Sequence, residues 1–234
     1  MAGRFFVVGD IHGCARELEA LLAGLRLAAG DTLAFVGDYI DRGPESRTVV
    51  DMMIGLRSRQ DLTTAFVRGN HEDMCLAYLG RRGRWGEAWR VNGGAATLES
   101  YGVPPQLSGS EAAAYIPPAH LAFFTELLPW FMAERYLIVH AGIRPGRSLE
   151  EQDEEDLLWI RGEFIASPHS LPQTIVFGHT PQRQAFVDLP YKLGIDTGCV
   201  YGGFLTAVEL REGVLYQVAH GDRRVRKSPL VAGR

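Results

Sequence analysis

The sequence has 234 residues, of which 46% are hydrophobic and 22% charged, and its formal net charge is −4. This balance is typical of a globular chain that buries one substantial core, and it excludes a disordered chain. A weakly negative chain has no general field that attracts polyanions, so composition argues against broad nucleic-acid binding.

The first third of the chain alternates short apolar strands with amphipathic helices. The predicted strand 5–8 ends in Gly-Asp and precedes the predicted helix 16–27, where leucines recur at helical spacing. The pattern returns in a strand at 32–36, a helix at 48–56 and a strand at 62–67. Such alternation predicts a mostly parallel sheet covered by helices, with functional residues just beyond the carboxyl ends of its strands.

The middle of the chain has a different character and predicts a cap over that edge of the sheet. Residues 71–135 are expected to form a mainly helical insertion, punctuated by Gly93-Gly94 and two proline pairs, within a single domain that spans 1–234. Strand periodicity then resumes at 136–139, 174–177, 185–189, 204–210 and 214–219. The fold class is therefore predicted as α/β, with two β layers flanked by helices. The acidic run 150–156 and the basic tail 223–227 are expected to be solvated surface.

The cysteines and apolar segments predict the cellular setting. The three cysteines, Cys14, Cys75 and Cys199, are widely spaced and contain no C-x-x-C pair, which argues against a disulfide framework and a thiolate zinc site. No apolar run approaches the length of about 20 residues that crosses a membrane, and the first one is too short for a signal-peptide core. We therefore expect a cytoplasmic protein without a membrane segment.

Oxygen and nitrogen ligands follow the apolar strands at five places. They are Asp10 and His12, Asp38, Asn70 with His71, His140, and His179. A single Asp-x-His pair is weak evidence, but five such strand ends in one chain are improbable by chance. Carboxylates mixed with imidazoles, and no thiolate, suit Mn, Fe or Zn in a catalytic rather than a structural site.

Five motifs carry a resemblance to a known family. They are GDIHG at 9–13, GDYIDRGPES at 37–46, RGNHE at 68–72, VHAG at 139–142 and FGHTP at 177–181. The chain resembles the calcineurin-like metallophosphoesterase superfamily, specifically its phosphoprotein-phosphatase branch and the bacterial and phage serine/threonine phosphatases. The resemblance spans residues 5–204 and implies the metallophosphoesterase-type β-sandwich of mixed sheets.

The resemblance also implies a cofactor of two divalent metal ions, with Mn favoured and Fe or Zn as alternatives. The ligands it implies are Asp10 and His12 for one ion, Asp38 as a bridge, and Asn70, His140 and His179 for the other. One bridging carboxylate can hold two ions at roughly 3.5 to 4 Å, and a hydroxide shared between them would attack phosphorus in line. No covalent phosphoenzyme is then needed.

Further residues are assigned to catalysis and substrate binding by the same resemblance. His71 would act as an imidazolium that protonates the leaving alkoxide, with Asp41 as the carboxylate that orients it and raises its pKa. The substrate-binding residues it implies are Arg42, Arg161, Arg68 and Asn70, with the arginines gripping phosphoryl oxygens. Arg42 and Arg161 are also counted as catalytic.

Other residue types have simpler interpretations. Glu72 is expected to cap the helix that follows the RGNHE motif. Trp85 and Trp89 are four residues apart, which favours packing in the core over stacking on a base. The histidines outside motifs, His120, His169 and His220, are expected to be ordinary surface or core residues, and Cys14 a small buried hydrophobe. Tyr201 is assigned either to the cleft or to the core.

Several functions remain open at this point. The favoured one is a serine/threonine protein phosphatase acting on a phosphorylated protein or peptide. The main rival is symmetrical hydrolysis of a dinucleoside polyphosphate, diadenosine tetraphosphate, because IDTGCVYGG at 195–203 resembles a motif of that enzyme group; the presence of Asp41 argues against it. A nuclease or cyclic-nucleotide phosphodiesterase is disfavoured because Pro181 replaces the second histidine of GHxH. A metal-binding scaffold without activity is the remaining alternative.

Overall fold

The computed structural model describes residues 3–231, in which strands and helices alternate along most of the chain. The strands of this range are β1 (Phe5–Val8), β2 (Thr32–Phe35), β3 (Thr63–Phe66), β4 (Trp130–Ala133), β5 (Tyr136–Val139), β6 (Thr174–Phe177), β7 (Phe186–Asp188), β8 (Lys192–Gly194), β9 (Phe204–Glu209), β10 (Val214–Ala219) and β11 (Val225–Pro229). Its α-helices are α1 (Ala15–Leu25), α2 (Ser46–Arg57), α3 (Asn70–Tyr78), α4 (Ala95–Ser100), α5 (Gly109–Ala112), α6 (Pro118–Thr125), α7 (Glu154–Trp159) and α8 (Gly162–Ala166). Across 3–231, every helix is too short or too polar to cross a membrane.

The strands form two mixed sheets. The first has the order β11-β10-β9-β1-β2-β3, with β1, β2 and β3 parallel and β9 to β11 antiparallel. The second has the order β4-β5-β6-β8-β7, with antiparallel β4 and β7 at the edges of a parallel centre. The two mixed sheets with flanking helices confirm the predicted fold class.

The first strand is apolar at every position because both of its faces are buried in the core. Successive side chains of a strand point to opposite faces, and β1 is covered on both. Phe5 and Val7 face the second sheet, in a cluster with Val36 and Ile138. Phe6 and Val8 face the helical layer formed by α1, α2 and the cap. A third cluster packs the outer face of the second sheet against α7 and α8.

Outside the cap, the structure contains two strands that were not predicted, β8 and β11. Strand β8 was not predicted, because it begins with Lys192; this lysine is buried and donates to the carbonyls of Ile165 and Ser167 at 3.1 and 2.6 Å. The basic tail is the edge strand β11, whose side chains are mostly exposed, as expected of a solvated surface.

The cap and its tryptophans also differ from expectation. Within 71–135, helical elements end at Thr125, and β4 then joins the edge of the second sheet, so the last part of the insertion is not helical. Trp89 is fully buried, as predicted, but Trp85 is 51% exposed. The prediction of a shared core face was wrong for Trp85 because it has a φ of +59° and lies outside any α-helix.

Candidate metal centre and acid pair

The loops after β1, β2, β3, β5 and β6 bring the predicted ligands together at one edge of the sandwich. All six predicted ligand residues are buried: Asp10, His12, Asp38, Asn70, His140 and His179. Charged side chains lose hydration on burial, which costs free energy unless an opposite charge or a bound metal ion compensates. The distances between these side chains therefore indicate whether they suit a metal ion.

Asp38 lies at the centre of the cluster. Its Oδ2 is 3.3 Å from His12 Nε2, and its Oδ1 is 3.5 Å from His140 Nε2. Two donor groups, His12–Asp38–His71 and Asp38–His140–His179, each have ligand atoms within 4.8 Å of one another. Both groups contain Asp38, so its carboxylate could serve two neighbouring cations. His71 belongs to the first group by proximity, although the resemblance assigns it to proton donation and assigns Asp10 to that ion.

The histidines present unprotonated nitrogens to this centre. His12 Nδ1 donates to Ile40 O at 2.8 Å, and His140 Nδ1 donates to Val36 O at 2.9 Å. Their Nε2 lone pairs therefore point inward, as in metal sites whose histidines are oriented by a backbone carbonyl. Burial lowers the pKa of His12 to about 3 and lowers the pKa of His140. Both rings are thus neutral, which is the form that binds a metal.

The amide oxygen of Asn70 lies among the imidazole nitrogens of this centre. Asn70 Oδ1 lies 2.9 Å from His140 Nε2 and 3.0 Å from His179 Nδ1. Because His140 Nδ1–H donates to Val36 O, the Nε2 of His140 carries a lone pair, and this lone pair faces the amide oxygen of Asn70. A cation bound by both atoms would relieve the repulsion between them. The donor set therefore fits a divalent cation.

Asp196 is a third buried carboxylate at this centre that the sequence analysis missed. Burial and then the negative charges of Asp196 and Asp38 raise the pKa of Asp10 well above its ordinary value, while burial raises the pKa of Asp196 to about 6. Such crowding of like charges is relieved by bound cations. The position of Asp196 in the sequence could have identified it, since it follows β8 just as the predicted ligands follow their strands.

The predicted acid pair is formed and buried. His71 Nδ1 is 2.6 Å from Asp41 Oδ2, and His71 Nε2 is 4.0 Å from Asp38 Oδ2, so the free nitrogen faces the metal centre. Burial lowers the pKa of His71, but the charge of Asp38 and the hydrogen bond to Asp41 outweigh it, and the net pKa is raised. A raised pKa keeps this imidazole protonated to higher pH, as a general acid requires.

Two cap residues also bond to Asp41, and sequence reasoning did not assign them. Trp89 Nε1 donates to Asp41 Oδ2 at 2.7 Å, and Thr97 Oγ1 donates to Asp41 Oδ1 at 2.6 Å. They lie 48 and 56 residues from Asp41 along the chain, so no local motif marks them.

Glu72 explains how the central loop keeps its shape. Its carboxylate accepts hydrogen bonds from the backbone N–H of Gly69, Asp38 and Tyr39 at 3.0, 3.0 and 2.8 Å. The Gly69 contact caps α3, which confirms the predicted capping role. The other two hold the turn in which Asp38 has a φ of +54°, a conformation that is unfavourable without such support.

The three predicted arginines have different surroundings. Arg42 is half-buried; its guanidinium contacts His12 Nε2 and lies 5.4 Å from the ring centre of Tyr201. Arg161 is exposed, and after burial and His140 its positive charge lowers the pKa of His179. Arg68 is buried and forms ion pairs with Glu154 at 3.2 Å and Asp73 at 3.7 Å. Contact of these arginines with substrate stays a prediction.

Comparison with known families defines the class of this protein. The family model of the calcineurin-like phosphoesterases matches residues 3–203. The chain therefore belongs to the calcineurin-like phosphoesterase family and is a hydrolase acting on phosphoester bonds.

Individual relatives carry two kinds of name. Serine/threonine-protein phosphatase 1 of Salmonella typhimurium is 34% identical over 88% of this chain and 91% of that protein. The asymmetrical bis(5'-nucleosyl)-tetraphosphatase PrpE of Geobacillus thermodenitrificans is 32% identical over 88% of this chain and 90% of that protein. A crystal structure described as a diadenosine tetraphosphatase covers 94% of each chain with a TM-score of 0.72 and 26% identity.

Proposed function

We propose that this hydrolase removes the phosphoryl group from phosphoserine or phosphothreonine in proteins. The observation that carries the proposal is the buried pair of His71 and Asp41, joined at 2.6 Å. A serine or threonine alkoxide is a very poor leaving group and needs a proton as it departs. A nucleotide phosphate leaves readily without one, so a fully organised acid pair matches a phosphomonoester of an alcohol best.

The proposal includes two divalent cations, with Mn favoured. The residues that would hold them are Asp10, His12, Asp38, Asn70, His140 and His179. When bound, such ions neutralise phosphoryl oxygens and lower the pKa of a water molecule so that it becomes a nucleophile near neutral pH.

The residues of the chain itself supply the proton and orient the substrate. His71 Nδ1 is held by Asp41, so its Nε2–H would be donated to the departing oxygen. Arg42 and Arg161 would bind the phosphoryl oxygens, because a guanidinium donates two parallel hydrogen bonds to tetrahedral phosphate. Asn70 would contact both a metal and the substrate.

A second candidate substrate is a dinucleoside tetraphosphate. The PrpE relatives are named as asymmetrical enzymes, so we take the asymmetrical reaction rather than the symmetrical one predicted from the sequence. Tyr201 also supports this candidate, because it is 62% exposed beside Arg42 and offers an aromatic face on which a base could stack.

A comparison of kcat/KM on the two substrates separates the two candidate functions. Metal-free protein is restored with Mn²⁺, and kcat/KM is measured on a phosphoserine peptide and on diadenosine tetraphosphate. We expect the peptide to be preferred, and His71→Asn to lower kcat about a hundredfold on the peptide but far less on the dinucleotide. Efficient cleavage of the dinucleotide with no turnover of the peptide would overturn the proposal in favour of the second candidate.

A further inference from the structure

The loop that carries Asp41 has a backbone conformation that needs external support. Asp41 and Arg42 have φ values of +76° and +69°, which side chains with a Cβ rarely adopt. Asp41 N–H is shared between Thr97 Oγ1 at 2.9 Å and Ser46 Oγ at 3.1 Å, and Arg42 N–H donates to Gly93 O at 3.1 Å. Thr97 and Gly93 belong to residues 89–97 of the cap, which we call the cap clamp.

The cap clamp has a shape that fits this loop closely. Its residues Arg90–Gly94 form a turn that is kinked at Gly93 and leads into α4. Gly93 has a φ of +113°, and a Cβ there would lie 2.7 Å from Arg42 Cγ. Glycine is therefore the residue that lets the clamp approach the loop.

We propose that Trp89 and Thr97 are positioning residues for the acid pair, an inference that rests on the proposed function. The Asp41 carboxylate accepts from His71 and Trp89 on one oxygen and from Thr97 on the other, so its rotation is fixed. With the carboxylate fixed, His71 is aimed at the departing oxygen. Trp89 and Thr97 donate to Asp41 and not to the predicted metal ligands, so they would act through Asp41.

The leaving group of the substrate tests this role. Thr97→Val removes the hydroxyl with little change in shape, and Trp89→Phe removes the indole N–H. We expect kcat to fall about tenfold on a phosphoserine peptide with KM unchanged, and to fall much less on an aryl phosphate whose leaving group is acidic. Thr97→Ser keeps the hydroxyl and should restore the rate. Tyr101→Phe is the matched control, since it removes another buried cap hydroxyl, bonded to His120 at 2.8 Å.

His71→Asn in the same substrate series separates the two ideas. If His71→Asn lowers the rates on the peptide and on the aryl phosphate by the same factor, His71 is not the general acid and the proposed function is wrong. If His71→Asn lowers the peptide rate more, while Thr97→Val and Trp89→Phe lower both rates by the same factor, only the positioning role is wrong. If Trp89→Phe does not fold, the comparison of Thr97→Val with Thr97→Ser tests the positioning role by itself.

A second, independent cluster lies on the other side of the loop 9–13. Cys14, Glu17, Cys199 and His220 each offer a ligand atom, and these four atoms lie within 4.8 Å of one another. The first three residues are buried and His220 is exposed. The donors come from α1, from the turn at 199–201 and from the turn between β10 and β11, and both cysteines are free.

The geometry points to a third metal site, for a thiophilic cation such as Zn²⁺. If a cation displaced the thiol protons, the cluster would offer two thiolates, an imidazole and a carboxylate, a donor set that Zn²⁺ binds in tetrahedral sites. Without a cation, the hydrogen bond with Cys14 and burial raise the pKa of the Cys199 thiol. A thiolate zinc site was not expected, because the cysteines are widely spaced and contain no C-x-x-C pair, yet the fold makes Cys14 and Cys199 neighbours. A cation here would connect three segments that pack beside the loop of Asp10 and His12.

Cobalt reports on this site separately from the catalytic centre. Co²⁺ bound by thiolate shows a near-ultraviolet charge-transfer band, which oxygen and nitrogen ligands do not give. We expect this band in reduced wild-type protein loaded with Co²⁺, its loss in Cys14→Ala and Cys199→Ala, and its weakening in His220→Gln. Cys75→Ala, which removes the buried cysteine outside the cluster, should keep it. Absence of the band from wild-type protein, or its survival in both cluster variants, would overturn the site.

Discussion

The strand-end loops and the cap clamp serve the same site but are encoded differently. The metal-ligand candidates lie in loops that follow strands, Asp10 and His12 after β1 and the others after one strand each, so their places in the fold are set by a few neighbouring residues. The contacts from Trp89 and Thr97 to Asp41 cross 48 and 56 residues of chain. The type of ligand is thus a local property of this sequence, whereas the contacts that hold the Asp41 carboxylate come from residues distant in the chain.

The strand-end loops should show the largest effect on substitution. Asp38→Ala removes the carboxylate shared by both donor groups, so we expect both metals to be lost and kcat/KM to fall about a thousandfold or more. Elemental analysis of the purified variant checks the metal content. Asp188→Ala, at an exposed position of β7, is the control. Unchanged metal content in Asp38→Ala would refute the shared carboxylate.

His71 should matter for the proton rather than for the metals. His71→Asn is expected to lower kcat about a hundredfold on a phosphoserine peptide, because general acid catalysis typically contributes about 10²–10⁴. Metal content should stay at the wild-type level. Loss of a metal ion from this variant would mean that His71 is a ligand, in line with its presence in one donor group.

Asp41 joins the two regions, and its effect should appear in the pH dependence. Burial lowers the pKa of His71, whereas Asp38 and the hydrogen bond to Asp41 raise it. Since bound cations would offset the charge of Asp38, Asp41 is the partner that would keep the acid form, which is lost as pH rises through the pKa of His71. Asp41→Asn removes one cause of the rise, so the basic limb of kcat should move to lower pH and its maximum should fall about tenfold. A limb that stays in place would show that Asp41 does not act on His71.

The cap clamp should give the smallest effect. Gly93→Ala places a Cβ 2.7 Å from Arg42 Cγ, so we expect the loop to shift and kcat to fall about threefold to tenfold with metal content unchanged. Gly102→Ala is a matched control, since Gly102 also has a positive φ, +70°, but its Cβ would meet nothing within 4 Å. Equal effects of the two substitutions would attribute the loss to backbone strain alone.

The sequence predicted the parts of the structure whose cause is local. Strands β1, β5, β6 and β10 are where their apolar patterns placed them, and Glu72 caps α3 as its position in the motif predicts. Strand β8 was missed because it begins with a charged residue, Lys192, whose ammonium group is bound by carbonyls at the C-terminal end of α8. Trp89 was correctly predicted to be buried. Its hydrogen bond to Asp41, however, depends on an irregular turn that the pattern of apolar residues does not predict.

The central claim is that two divalent cations lie side by side and share Asp38. Metal-free protein titrated with Mn²⁺, which thiolates bind poorly, tests it by electron paramagnetic resonance together with turnover. The account predicts two Mn²⁺ per chain with a spin-coupled spectrum, and activity that rises as the second ion binds. Full turnover with a single ion per chain, or turnover that survives a chelator, would contradict it.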